Sequence, residues 1–311
     1  MEQLPKDFLS LNDWSPETIT RALDLADRLK AELRAGTAHR LLEGQSLGMI
    51  FSKSSTRTRV SFEVGIAQLG GQGLYLSTAD IQLGRGETIP DTARTLGRFL
   101  NGIMIRTYAH QDVVELARWS PVPVINGLTD LLHPCQVLAD LQTIREEFGR
   151  LRGLKLAYVG DGNNVANSLL YGCAKTGVDI RVATPPDYRP DPLVFEQARR
   201  IAAEGGSELV WTPDARAAVE GVDVVYTDTW VSMGQEAERA ERMKVFLPYQ
   251  VNRELWTLTG PDAIFLHCLP AYRDMEVTNE IMEGPMSRIF DEAENRLHAQ
   301  KAVMVLLMGR A

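Results

Sequence analysis

Cysteine is scarce in this 311-residue chain: Cys135, Cys173 and Cys268 are the full set. They show no paired metal-ligand spacing, and an odd, sparse set fits a reducing compartment, so a cytoplasmic protein without a disulfide framework is expected. Long apolar runs are missing as well. The longest, "AVMVLLM" near the C-terminus, is too short to span a bilayer. The first residues, "MEQLPKDFLSLNDW", are polar and acidic, unlike a signal peptide or an Arg-rich transit peptide. There is no excess of positive charge: 33 Lys and Arg against 41 Asp and Glu leave a formal net charge of -8. That argues against a broad nucleic-acid surface while permitting a local basic pocket. No Gly-x-x-x-x-Gly-Lys stretch occurs, so an ordinary nucleotide P-loop is not expected, and there is no internal repeat or low-complexity segment.

What is present is an alternation of strand and helix signals in a globular composition, 44% hydrophobic and 24% charged, long enough for two domains. "SPETITRALDLADRLKAEL" reads as an amphipathic helix with Ser15 as its cap and Pro16 at its first position. Strand-like runs follow at "LGMIF", "GLYLS", "GIMIRT" and "VPVING", then a long helix from about His133–Pro134 to Gly149. A second series begins at "LKLAYVG", continues through "ANSLLYGCAKTG", and adds strands at "DIRVAT", "ELVWT", "DVVYTDT" and "AIFLHCL" before a final helix. The pattern predicts an α/β protein of two domains, each a mostly parallel sheet covered by helices, with the active-site cleft between them. The boundaries expected are 1–149 and 150–291, with a C-terminal helix at about 292–311 packing back on the first domain.

Between "LGMIF" and the helix after it lies "SKSSTRTR", which puts Ser54, Ser55, Thr56, Arg57, Thr58 and Arg59 in a row. A helix cap needs one hydroxyl; this turn offers four and two guanidinium groups. A helix N-terminus also carries unpaired amides and partial positive charge, so an anion site, most plausibly for phosphate, is expected. Other unusual polar residues also fall after strands, where open α/β sheets bind ligands. These are Arg106, the "GDGNN" of 160–164, Asp228, and the "HCLP" of 267–270. "GDGNN" is a partial dinucleotide fingerprint, but Val165 replaces its third glycine and no acid follows "DIRVATPP" to hold a ribose. Asn163 and Asn164 suit an amino-acid carboxylate or ammonium, although a plain Gly–Asn turn reads equally well. His133 and Gln136 sit at the start of a helix, where they could bind a polarised carbonyl and an amide. His267 and Cys268 are neighbours on a strand and point apart, so no Cys–His dyad is expected.

Several stretches together resemble the aspartate/ornithine carbamoyltransferase family: "STRTR" followed by "SFE", "QLGRGE", "DTARTLGRF", "PVINGLTD", "HPCQ", "GDGNN", "DTWVSMGQE", "HCLP" and "FDEAENRLHAQKA". The "DTWVSMGQE" and "HCLP" stretches resemble its ornithine branch. One departure is "AYRDMEV", where Asp274 stands at a usual glycine; Asp tolerates a left-handed backbone. The resemblance implies transfer of the carbamoyl group from carbamoyl phosphate to the δ-amine of ornithine, in arginine metabolism, with no metal or redox cofactor. It implies that Ser55, Thr56, Arg57 and Thr58 hold the phosphate, and that Arg59 is structural. It gives Arg106, His133 and Gln136 the carbamoyl group, the backbone of Cys268 and Leu269 its amide, and Arg296 a reach back to the first domain. Catalytic roles would fall on Arg57, Arg106, His133 and Cys268. Gln82 would be lent by a neighbouring subunit of a homotrimer or a multiple of one, and Asn164, Asp228, Ser232 and Met233 would hold ornithine. Two other readings are a sensor with the same pockets and no turnover, and a nicotinamide oxidoreductase resting on "GDG" alone.

Overall fold

The computed structural model describes residues 4–231 and 236–309. They form two compact units, one running up to Gln142 and resuming at Glu294, the other spanning Thr143–Ala293. The first unit carries α1 (Pro16–Arg34), β1 (Ser46–Phe51), α2 (Thr56–Gln68), β2 (Gln72–Ser77), α3 (Ile89–Leu96), β3 (Gly102–Arg106), α4 (His110–Trp119) and β4 (Val124–Leu128). Helix α5 (Pro134–Phe148) follows. The second unit then carries β5 (Lys155–Val159), α6 (Asn164–Thr176), β6 (Asp179–Ala183), α7 (Pro192–Gly205), β7 (Leu209–Thr212), α8 (Ala215–Val219), β8 (Val224–Tyr226), α9 (Arg239–Phe246), α10 (Arg253–Trp256), β9 (Ile264–Leu266) and α11 (Asn279–Met282). Helix α12 (Ile289–Met308) closes the described chain. Each strand and helix read from the sequence pattern has its counterpart here; α3, α4 and α7 to α11 were not anticipated by it.

Every strand pair is parallel, with order β2-β1-β3-β4 in the first unit and β7-β6-β5-β8-β9 in the second. The inner strands β1 and β3 are buried on both faces, which is why they read as nearly continuous apolar runs instead of alternating ones. Edge strand β2 is largely exposed. On the opposite edge, the N-terminal segment bonds to β4 through Phe8 (N–H to the Val124 carbonyl, 2.9 Å) and Asn126 (N–H to the Phe8 carbonyl, 2.8 Å), covering a row of free backbone groups.

Local chemistry accounts for the helix starts. Ser15 caps α1 through the Thr18 amide, with Pro16 in the first turn, and Ile19, Leu23, Ala26 and Leu29 bury one face. Helix α12 is tied into the first unit by buried polar contacts. Lys30 Nζ donates to Asn295 at 2.6 Å, and Lys301 Nζ to His39 at 2.6 Å and Gln68 at 2.9 Å. Burial holds the Lys301 ammonium down to about 8. In the second unit, apolar side chains from β5, α8 and β9, with Val277, Ile281 and Ile289, make one continuous core.

Asp274 adopts the left-handed backbone its position requires, with φ of 65°. Its amide donates to the Val277 carbonyl at 2.8 Å, and its carboxylate lies 3.4 Å from the Asn279 amide. Asp274→Gly should therefore leave the urea midpoint essentially unchanged, while Asp274→Ala should cost about 1 kcal/mol, since a Cβ without a local hydrogen bond is penalised there. Equal effects of the two substitutions would refute this account.

Candidate active site

In both units several sequence-nominated residues follow the strands at which the order reverses, the place at which open parallel sheets leave a crevice at their carboxyl ends. In the first unit the reversal lies between β1 and β3. After β1 the chain turns into α2, and Ser55 caps it, its Oγ accepting the Thr58 amide at 3.2 Å. One hydroxyl of the cluster is thus a helix cap. Thr56 and Arg57 remain exposed in the first turn. Thr58 is buried, and its Oγ1 lies 3.4 Å from Arg106 Nη1 and 3.4 Å from Arg296 Nη2, both of which donate to it. Arg106 ends β3, in register with Phe51 of β1. Beyond β4, His133 and Gln136 open α5. Arg296 Nη1, arriving on α12, donates to Gln136 Oε1 at 2.6 Å and lies 3.4 Å from His133 Nε2.

The electrostatics follow from this crowding. Burial and then the charges of Arg296, Arg106, Arg57 and Lys53 push the His133 imidazole well below its usual range, so it is neutral at neutral pH. Lys53 was not nominated from the sequence. It is buried, donates to Asp130 Oδ1 at 2.9 Å and lies 4.8 Å from the centre of the Tyr108 ring. It flanks the hydroxyl cluster, and only burial distinguishes it from an ordinary loop lysine. Arg59 faces away, as expected, pairing with Glu63 at 3.2 Å and lying 3.9 Å from the centre of the Tyr75 ring. Gln82 is exposed on a separate 3-10 turn, Gln82–Arg85.

In the second unit the order reverses between β5 and β8. Asn163 caps α6, its Oδ1 accepting the Val165 and Ala166 amides, and its Nδ2 donates to Asp228 Oδ2 at 2.7 Å. Cys268 Sγ donates to the other Asp228 oxygen at 3.1 Å. Asn164, half-buried, occupies the first turn of α6 beside this trio. The sequence set Asn163 and Asn164 side by side; the structure separates their work, since Asn163 orients Asp228. His267 and Cys268 are not a dyad. His267 Nδ1 accepts the Leu269 amide at 2.9 Å and its Nε2 faces Glu276 at 3.3 Å. Leu269 is left-handed, with φ of 58°, a costly conformation for a leucine and of the kind held at functional sites. An Asp228 oxygen, a His267 nitrogen and Cys268 Sγ lie within 4.8 Å of one another, but each already has a protein hydrogen-bond partner. A further pair escaped sequence reading: Arg242 of α9 bonds Asp161 and the Trp230 carbonyl, and burial raises the Asp161 carboxyl to about 6. Ser232 and Met233 lie outside the described residues.

Two family models divide the chain between them. Residues 6–146 match that of the aspartate/ornithine carbamoyltransferase carbamoyl-P binding domain, and residues 152–307 that of the Asp/Orn binding domain. The chain belongs to the aspartate/ornithine carbamoyltransferase family. It is 58% identical over 304 residues to the ornithine carbamoyltransferase of Symbiobacterium thermophilum, covering 98% of each chain. It is 56% identical to that of Thermococcus kodakarensis, covering 98% of this chain and 96% of the relative. Among solved structures, ornithine carbamoyltransferase from Pyrococcus furiosus superposes with a TM-score of 0.96 at 53% identity, with 98% and 97% of the two chains covered. That from Gloeobacter violaceus gives 0.89 at 50%, with 99% and 100% covered. The two-domain parallel α/β architecture read from the sequence is the one observed, and the branch it resembled is the one these carbamoyltransferases bear in their names.

The dinucleotide reading of "GDG" fails on space. A Cβ at Gly162 would stand 2.3 Å from the backbone of Arg189 and of Pro190, and the Gly162 amide donates to the Tyr188 carbonyl at 2.9 Å. The backbone of Arg189 and Pro190 thus occupies the space beside the glycine that a close ligand approach on that side would need. Gly162→Ala should therefore lower the urea midpoint by the equivalent of about 1–3 kcal/mol or more, because backbone rather than a flexible side chain must give way. An unchanged midpoint would show that the glycine is kept for another reason.

Proposed function

We propose that the chain transfers the carbamoyl group of carbamoyl phosphate to the δ-amine of L-ornithine, giving L-citrulline and phosphate. The observation that carries the reading is the meeting of Arg296 with Gln136, His133 and Thr58 in a buried place where Arg106 also ends. Guanidinium groups brought together out of water call for an anion or a polarised oxygen. The phosphate is held by Ser55, Thr56, Arg57, Thr58 and the first amides of α2. Arg106 and the neutral His133 polarise the carbamoyl carbonyl, and Gln136 with the backbone of Cys268 and Leu269 receives its amide. Asn164, Asp228, Ser232 and Met233 hold the α-amino and carboxylate groups of ornithine.

In the reaction the unprotonated δ-amine forms the new C–N bond, negative charge gathers on the carbonyl oxygen, the C–O bond to phosphate breaks, and the proton that the nitrogen sheds leaves with the phosphate. Arg106 and His133 donate to that oxygen where the charge develops, and Arg57 meets the charge building on the departing phosphate. Much of the acceleration comes from holding two substrates in line. The place of work is the cytoplasm: no disulfide joins the three cysteines, and no helix among the described residues is long and apolar enough to cross a membrane.

A homotrimer, or a multiple of one, with shared sites completes the proposal. Edge strand β2 exposes Leu74 and Tyr75, and α2, which packs on it, exposes Val60 and Val64. A second copy would cover these exposed apolar side chains and bring its Gln82 to the site.

Citrulline formation from carbamoyl phosphate and ornithine tests the reaction directly; a folded protein that binds both and makes none would be the sensor instead. Arg57→Ala should cut turnover by roughly 10²–10³-fold or more and weaken carbamoyl phosphate binding in a folded protein. Wild-type values for both would reduce the loop to a helix cap. Mixing inactive Gln82→Ala and Arg106→Ala subunits should recover part of the activity, because some hybrid sites carry neither defect. No recovery after demonstrated subunit exchange would rule out sharing.

A further inference from the structure

Gln136 sits between two groups of opposite hydrogen-bonding character. Its Oε1 accepts from Arg296 Nη1 at 2.6 Å, and its Nε2 donates to Asp140 Oδ1 at 2.8 Å. A guanidinium only donates and a carboxylate only accepts, so this pair of neighbours admits one orientation of the amide and forbids the flipped one. Asp140 stands one helical turn beyond Gln136 on α5, the spacing at which side chains meet on one face, and it is fully buried. The carboxylate therefore does more than balance charge near the cations around His133. It decides which end of the Gln136 amide is presented.

We infer that Asp140 is a positioning residue for the carbamoyl group: it fixes the Gln136 amide so that the oxygen, not the nitrogen, faces Arg296 and the substrate. The inference rests on the carbamoyl-transfer reading, in which Gln136 receives the carbamoyl –NH₂. With the amide reversed, two donors would face the substrate's –NH₂ and Arg296 together. Asp140 touches no substrate; its effect passes through Gln136 and, through that oxygen, to the placement of Arg296 beside His133 and Thr58.

The test is Asp140→Asn in the full-length enzyme, a substitution that keeps shape but can offer either an acceptor or a donor to Gln136. The expected result is a fall of about tenfold or more in kcat/KM for carbamoyl phosphate. The apparent KM for ornithine, at saturating carbamoyl phosphate, should stay within about twofold. In a Gln136→Met background, where the amide is gone, adding Asp140→Asn should change the rate by less than about twofold. A tenfold loss that persists in that background, or carbamoyl phosphate kinetics unchanged by Asp140→Asn alone, would overturn the inference while leaving the carbamoyl-transfer reading intact. Absence of citrulline from the wild type would instead defeat that reading and this inference with it. If Asp140→Asn does not fold, Asp140→Leu, near in volume and without an acceptor, is read in the same way. Loss of the fold in both would assign Asp140 a structural role only.

Discussion

Cations brought together out of water are the constraint on which the first unit is built. Arg106 arrives at the end of a buried strand, Arg296 on the last helix and Lys53 from the turn after β1, while the exposed Arg57 stands in the first turn of α2, and all four charges bear on His133. Like charges in such a place repel, and their removal from water is costly unless acceptors meet them. The fold supplies those acceptors in part: Thr58 takes hydrogen bonds from Arg106 and Arg296, Gln136 one from Arg296 and Asp130 one from Lys53. What remains is a preorganised positive field at a helix N-terminus, the kind of environment that stabilises a leaving phosphate and a developing oxyanion without rearranging during the reaction. The same field explains the neutral His133. An imidazolium there would add another buried positive charge, so the ring is confined to its uncharged form and to hydrogen-bonding work.

The second unit solves a different problem with fewer charges. Asp228 is buried with both oxygens engaged, one by Asn163 and one by Cys268. Those contacts fix the carboxylate's direction in advance, and a preordered group carries a lower ordering cost in binding. Backbone geometry does the rest. The left-handed Leu269 turns the chain sharply after β9, and its amide is secured by His267, whose far side is backed by Glu276. Asp161, just after β5, is tied to Arg242 in the middle of α9 in a similar way. Several of these bracing residues lie one or two positions from a residue assigned to substrate, so altering them would disturb the site indirectly.

Much of this was legible in the chain itself. Parallel sheets buried on both faces leave continuous apolar runs, and open sheets bind ligands at their carboxyl ends, so the polar residues following those runs could be nominated without coordinates. Ser55 to Thr58, Arg106, Asp228 and the "HCLP" turn were all located in that way. Asp274 was expected to tolerate a left-handed backbone and does. Short amphipathic helices such as α3 and α8 escaped notice, because a few residues carry too little periodicity to outweigh neighbouring turn signals.

Sequence alone therefore determined the class of the fold, the strand-end placement of the polar groups and the family, since each depends on local pattern or on ordered motifs. Tertiary structure decided which of those groups touch. That Arg296 meets Gln136 from 160 positions away, that Asn163 rather than Asn164 orients Asp228, and that Lys53 and Asp140 belong to the charged cluster are consequences of strand order and helix docking. A hydrogen bond between distant residues leaves no mark on the spacing of either one, and burial, which turns an ordinary lysine or aspartate into part of a site, exists only once the chain has packed.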